Sequence, residues 1–174
     1  GENDGFPGLV LDRYENTVVL KLYTSAWIPY LDILISVFKN QLPIERCVLR
    51  WSRKAAKSVA VSKKWSDDCI LFGDTGESTI HFKENGIIFQ ADVLLGQKTG
   101  FFLDQRDNRQ HVRLLSKGKS VLNVFSYTGA FSVYAFMGGA RSVLEIDSNS
   151  IALTVSKKNL ELNFPNRIFS LEEF

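Results

Sequence analysis

The chain has 174 residues, 45% of them hydrophobic and 23% charged, with a formal net charge of +2. That composition describes an ordinary globular polypeptide with material for one or two domains and a sizeable core. It holds no apolar run near the length of a membrane span and no recognisable secretory leader. Its two cysteines lie 22 residues apart without a C-x-x-C pattern or histidine companions, so neither a disulfide framework nor a zinc site is indicated. A reducing cytoplasm is the expected setting, and no metal is expected.

In chain order, Leu9 to Tyr14 and Val18 to Tyr23 predict a β-hairpin turned at Glu15-Asn16. Trp27 to Asn40 predicts a helix with Ile28, Leu31, Leu34, Ile35 and Phe38 on one stripe, Pro29 being tolerable only in its first turn. Gln41-Leu-Pro43 ends it. Val48 to Trp51 is a short strand, and a basic stretch without clear period follows. Ile70 to Phe72, Ser78 to Phe82 and Ile87 to Ala91 are strands separated by Gly-Asp and Glu-Asn-Gly turns. Residues 1–92 thus read as a small α+β domain.

Charge is concentrated in one place. Arg46, Arg50, Arg53, Lys54, Lys57, Lys63 and Lys64 fall between positions 46 and 64 with no acid among them, which leaves 14 basic and 19 acidic residues elsewhere. A basic run on an otherwise mildly acidic chain is an electrostatic footprint for a polyanion. Trp51 and Trp65 flank it and could stack on unpaired bases. The alternative is a solvated basic loop beside two core tryptophans.

Residues 93–174 change character. Asp104 to Leu115 predicts a helix, Ser120 to Val124 a strand, and Gly129 to Met137 a helix stopped by Gly138-Gly139. Ser142 to Ile146 is the next strand, Asp147-Ser-Asn-Ser caps a helix over Ile151 to Asn163, and Arg167 to Leu171 begins a third strand. The strand leading into Asn123-Val-Phe-Ser-Tyr-Thr-Gly129 and then a helix, with Asp147 18 residues beyond Gly129, matches a βαβ nucleotide site. There Gly129 permits a tight turn, the helix N-terminus offers N–H groups, and Asp147 can accept hydrogen bonds from a ribose. A dinucleotide pyrophosphate favours several glycines where this turn has one, so a ligand without phosphates, such as S-adenosylmethionine, suits it better. The alternatives are a plain strand-to-helix connection, with Asp147 a helix cap, and a dinucleotide oxidoreductase.

The run Gly96-Gln-Lys-Thr-Gly-Phe-Phe-Leu-Asp-Gln-Arg106, followed by Val121-Leu-Asn-Val-Phe-Ser-Tyr-Thr-Gly-Ala-Phe-Ser132, closely resembles bacterial S-adenosylmethionine-dependent methyltransferases that modify cytosine C5 in large-subunit ribosomal RNA. Gly1-Glu-Asn-Asp-Gly-Phe-Pro-Gly-Leu-Val-Leu-Asp-Arg-Tyr14 also resembles the start of that family's central domain. The resemblance implies that Lys98, Phe102, Asp104 and Arg106 lie over the methionine end of the cofactor. It further implies that Phe125, Ser126, Tyr127, Thr128 and Gly129 form the turn beneath it, and that Asp147 holds its ribose. Arg50, Arg53, Lys54, Lys57, Lys63 and Lys64 are then the expected contacts to ribosomal RNA.

The resemblance also implies a cysteine nucleophile after an Asp-Pro-Pro type loop, and neither occurs before Phe174. Cys47 and Cys69 precede the cofactor motifs and read as partly buried thiols in strands. No catalytic residue is therefore assigned. The expected fold is α/β: the α+β domain, then the N-terminal part of a Rossmann-like methyltransferase sheet. That sheet needs about six or seven strands and only two or three are in view, so a fragment is expected. Its open edge would be covered by missing residues or by a second copy in a homodimer. His81 in a strand and His111 in a helix lack metal-spaced companions, and Asp107 and Arg109 read as helix-surface charges. A non-catalytic RNA-binding or dimerisation module is the alternative to the enzyme.

Overall fold

A computed structural model describes residues 1–59, 65, 69–166 and 170–173. By packing, the chain forms two compact units, one of Gly1–Ile80 with Ala91–Phe101 and the other of His81–Gln90 with Phe102–Phe174.

The first unit is built on a four-stranded sheet of order β1-β2-β3-β4. β1 (Leu9–Tyr14) and β2 (Thr17–Leu22) form the predicted hairpin in the register Leu9 to Leu22, and Glu15 at its turn has φ 51°. β3 (Arg46–Trp51) runs parallel to β2, so the chain must cross over one face of the sheet. The crossover carries α1 (Leu31–Gln41), and β4 (Cys69–Phe72) returns antiparallel to β3. Val18, Leu20 and Leu22 alternate onto the face where Leu31, Phe38, Leu49 and Trp51 close the core.

Two elements differ from expectation. The helix expected from Trp27 begins as a 3-10 helix, Ser25–Tyr30, and becomes α-helical only at Leu31. Pro29 explains this: it lacks an N–H, and it disfavours the α conformation at Ile28. The basic stretch is not irregular throughout, because Arg53–Val59 forms the helix α2. Ser52 starts it by accepting from Ala55 N at 3.2 Å through its hydroxyl, and Ala55-Ala56 is strongly helix-forming. Seven residues are too few to display a helical period.

β5 (Thr79–Glu84) and β6 (Ile87–Asp92) form a hairpin through Asn85 and Gly86, both at positive φ. Its turn end belongs to the second unit, where Phe89 stacks on Tyr134 with ring centroids 6.2 Å apart. Gln90 N and Ile88 N there donate to the side chains of Asn159 and Asn163.

The second unit has a three-stranded, all-parallel sheet in the order β7 (Ser120–Val124), β8 (Ser142–Asp147), β9 (Ser170–Glu173). α3 (Arg106–Leu115) leads in, and α4 (Ala130–Met137) and α5 (Ser150–Asn163) are the crossovers. This is the βαβαβ run of a Rossmann-like domain. α4 ends as Gly138-Gly139 predicts: Gly139 has φ 86°, and Gly139 N and Ala140 N bond back to the carbonyls of Phe136 and Ala135. Among the described residues β7 pairs only with β8, and Leu122 (59% exposed) and Val124 (43%) on it are open to solvent.

Candidate cofactor site and basic face

After β7 the backbone enters the left-handed region three times in five residues, at Phe125 (φ 59°), Tyr127 (φ 50°) and Gly129 (φ 71°). Two of these carry side chains, so the turn needs outside support. The end of β8 supplies it. Asp147 Oδ2 accepts from Tyr127 N at 2.7 Å and the Ile146 carbonyl accepts from Ser126 N at 3.2 Å, while Gly129 N closes on the Ser126 carbonyl at 2.9 Å.

Gly129 is required for a reason the sequence did not show. A Cβ there would lie 1.9 Å from Ser156 Oγ on α5 and 2.7 Å from Glu145 Oε1 on β8, so the glycine admits protein behind the turn. Glu145 is 1% exposed and accepts a hydrogen bond from the Ser156 hydroxyl. Burial is the main cause that raises its carboxyl above the usual 4.5, with hydrogen bonds from Ser132 and Ser156 opposing it. Thr128 is buried, and its carbonyl accepts from Asn159 Nδ2 at 2.9 Å.

Asp147 is not the helix cap. Asn149 is the N-cap of α5, its side chain accepting from Ala152 N at 3.1 Å, while Asp147 Oδ1 accepts from Asn149 N at 2.9 Å. Each oxygen of Asp147 therefore has one backbone N–H and lone-pair capacity left over. Ser126 Oγ is buried without a hydrogen-bond partner among the described residues, and Phe125 is 76% exposed. The first N–H groups of α4 lack intrahelical acceptors by construction. An oriented carboxylate, an orphaned hydroxyl, an exposed ring and a helix start with one glycine fit a ribose-bearing ligand without phosphates.

Of the other expected cofactor residues, Phe102 packs edge-on against Tyr127 with ring centroids 5.3 Å apart. Asp104, in the 3-10 turn Leu103–Gln105, and Arg106, the first residue of α3, are exposed, and Arg106 Nε lies 3.4 Å from Asp107. Lys98 belongs to the first unit, in a loop held by that unit's own strands. Lys98 has φ 52° and its carbonyl accepts from Lys21 Nζ at 2.8 Å. Thr99 is pinned between Tyr14 Oη (2.9 Å) and Asp12 Oδ2 (2.5 Å). The structure thus gathers Phe102, Phe125 to Gly129 and Asp147 within one unit.

Arg109 is a correction. Expected on the helix surface, it is 1% exposed and grips Glu84, itself 5% exposed, with Nε to Oε1 at 2.8 Å and Nη2 to Oε2 at 2.6 Å. Nη1 donates to the Phe102 carbonyl at 2.9 Å, and Tyr134 Oη donates to Glu84 Oε1 at 3.0 Å. Burial, then the neighbouring Glu84 charge, pushes the Tyr134 phenol up to about 12. Period-two alternation puts Glu84 on the same face as buried Phe82, and that was the available signal. Asp107 is exposed as expected.

In the first unit, α2 buries Ala55 and exposes Arg53, Lys54 and Lys57. Arg50 points inward, Nη1 donating to the carbonyls of Val93 (3.3 Å) and Gly96 (3.2 Å), and Arg46 is 7% exposed with a bond to the Glu77 carbonyl. Trp51 is also a correction: it is 4% exposed in the core, with Nε1 donating to the Trp65 carbonyl, so its faces are closed to bases. Lys63 and Lys64 lie outside the described residues. Cys47 in β3 is fully buried, and burial pushes its thiol up to about 12; Cys69 in β4 is half-buried. Among the described residues no helix is long and apolar enough to cross a membrane, and no cluster of His, Cys, Asp and Glu could hold a metal.

Known proteins resemble the chain along most of its length. Residues 19–168 match the S-adenosylmethionine-dependent methyltransferase family. A ribosomal RNA large subunit methyltransferase of Deinococcus radiodurans is 46% identical over 163 residues, covering 94% of this chain and 40% of that protein. Ribosomal RNA large subunit methyltransferase I of Serratia proteamaculans is 39% identical over 166 residues, again 94% and 40%. A solved structure described as a methyltransferase from Streptococcus mutans superposes with a TM-score of 0.85 at 28% identity, over 99% of this chain and 44% of that one. A methyltransferase structure in complex with SAH gives the same score and identity, over 43% of its length. The chain spans about 40% of the length of the curated relatives it matches. By its sequence, its parallel sheet and its motif turn, the chain belongs to the S-adenosylmethionine-dependent methyltransferase family.

Proposed function

We propose that this chain is the RNA-docking and cofactor-holding part of a large-subunit ribosomal RNA methyltransferase that acts in the cytoplasm on cytosine C5. The names of the relatives support ribosomal RNA as substrate, and the motif resemblance supports C5. We assign residues 1–92 chiefly to RNA and residues 93–174 to S-adenosylmethionine, the methyl donor. Asp147 orients the ribose, Phe125 to Gly129 form the floor of the site, and Phe102, Asp104, Arg106 and Lys98 bind or shield the methionine end. Arg53, Lys54 and Lys57 neutralise phosphates. The catalytic nucleophile belongs to an Asp-Pro-Pro and cysteine region that the 174 residues do not contain. The outer edge of β7 we assign to further strands of the same polypeptide, and a second copy on that edge would show instead as a dimer in sedimentation.

The observation that carries the reading is the Asp147 carboxylate, fixed by two backbone N–H groups beneath the turn with capacity to spare. Titration calorimetry of the longer protein with S-adenosylhomocysteine tests it. Asp147→Ala should weaken binding by about 1–3 kcal/mol through lost ribose hydrogen bonds. Unchanged affinity would leave Asp147 as a clamp of the turn alone.

A further inference from the structure

The first unit carries a second group of aromatic side chains that its core does not use. Phe6 is 48% exposed and Tyr30 is 54% exposed, with half-buried Trp27 between them. The Phe6 and Trp27 ring centroids are 6.1 Å apart at 31°, and those of Trp27 and Tyr30 are 6.1 Å apart at 70°. The indole is held in place, because Nε1 donates to the Pro7 carbonyl at 2.9 Å and the ring packs against the hydrophobic core. Trp27 and Tyr30 stand on the 3-10 helix, which Thr24 caps and Pro29 stiffens. The rings are therefore ordered before anything binds, a condition for cheap recognition.

α2 packs against that same 3-10 helix. Ala55 and Ala56 face the core that Trp27 and Ile28 also join, so Arg53, Lys54 and Lys57 occupy the opposite side, within an arc of about 100° at helical spacing. The exposed rings and the cationic stripe thus stand on two elements packed against each other, and no acid occurs between residues 46 and 64. The nearby Glu2 is engaged, its carboxylate accepting from Gly8 N at 3.1 Å. Aromatic faces beside cations match a polyanion that also has flat apolar faces to offer. Unpaired RNA has them, whereas a duplex hides its base faces in the stack.

We propose that Phe6, Trp27 and Tyr30 form a stacking platform for unpaired RNA bases whose phosphates are held by Arg53, Lys54 and Lys57. The platform takes over the role that the sequence suggested for Trp51. It rests on the reading of the chain as an RNA-docking unit.

The test compares two oligoribonucleotides of equal length and charge, one unstructured with bases and one abasic, titrated against the full-length protein by fluorescence anisotropy. Wild-type protein should bind the base-bearing strand on the order of ten-fold more tightly. Phe6→Leu with Tyr30→Leu keeps apolar bulk, and should abolish that preference while leaving the abasic strand's affinity unchanged. Tyr30→Trp in the Phe6→Leu background should restore part of it, which separates stacking from damage to the fold. Arg53→Ala, Lys54→Ala and Lys57→Ala together should weaken both strands alike and flatten the salt dependence, by roughly 0.7 in log–log slope per lost phosphate contact. A wild type that binds both strands equally, or a leucine double variant that keeps the preference, overturns the platform while the RNA reading stands. An unchanged triple variant overturns the RNA reading of α2 itself.

Discussion

The Arg109–Glu84 pair makes a strong quantitative demand on the second unit. With Arg109 1% and Glu84 5% exposed, neither charge can fall back on water when the other is removed. Arg109→Met keeps the apolar stem but deletes both bonds to Glu84 and the bond to the Phe102 carbonyl, leaving the carboxylate with the hydroxyl of Tyr134. Breaking a buried pair in this way costs about 3–5 kcal/mol. At roughly 2–4 °C per kcal/mol for a chain of this size, the melting temperature should fall by about 6–20 °C. Urea unfolding followed by circular dichroism measures the first figure and a thermal scan the second. Arg109→Met combined with Glu84→Leu removes the stranded charge as well, and should recover most of the loss. A single variant that loses less than about 1 kcal/mol, or a double variant no better than the single, would refute the claim that the charges are dry and mutually dependent. Because Arg109 also holds the Phe102 carbonyl, the single variant should weaken S-adenosylhomocysteine binding beyond its effect on stability.

Two further outcomes follow from the site. Gly129→Ala places a methyl carbon 1.9 Å from Ser156 Oγ at a φ of 71°, and should cost about 2 kcal/mol or more in chemical denaturation; Ser156→Gly in the same chain should return part of it, because the tightest clash, though not the one with Glu145 Oε1, is with that side chain. For Glu145, burial raises the folded carboxyl above 4.5, so the folded chain keeps a proton that the unfolded chain gives up. Stability relative to Glu145→Gln should therefore fall as pH climbs from 4.5 through the raised value, and parallel profiles for the two proteins would show that Glu145 is not desolvated.

Local sequence made the hairpin turns, the strand into Asn123, the glycine stop after Met137 and the acid at the end of β8 legible, because each depends on neighbours a few positions away. What stayed hidden depends on partners distant in sequence. Arg109 and Glu84 are 25 residues apart, and although alternation with Phe82 turns Glu84 inward, nothing near Arg109 marks it as the buried partner. Trp51 looked available because it ends a strand beside cations, yet the strand's inward alternation commits it to the core. Gly129 was correctly singled out for its turn, but its need for space comes from α5, a helix 21 residues and more downstream. Asp147 closes its strand as the sequence predicts, while its hold on Tyr127 N became visible only once β7 and β8 lay side by side.

The β5–β6 hairpin has its base in one compact unit and its tip in the other, and the loop through Phe101 returns to the first unit before the second resumes at Phe102. Neither unit is thus a continuous stretch of polypeptide. Cutting the chain at any one peptide bond near position 92 strips Glu84 and Phe89 from the unit that buries them, so a piece beginning there would start life with an ionic socket missing its anion and an aromatic stack missing a ring. A single recombination near that point therefore exchanges neither half for a foreign module without breaking the core of the other.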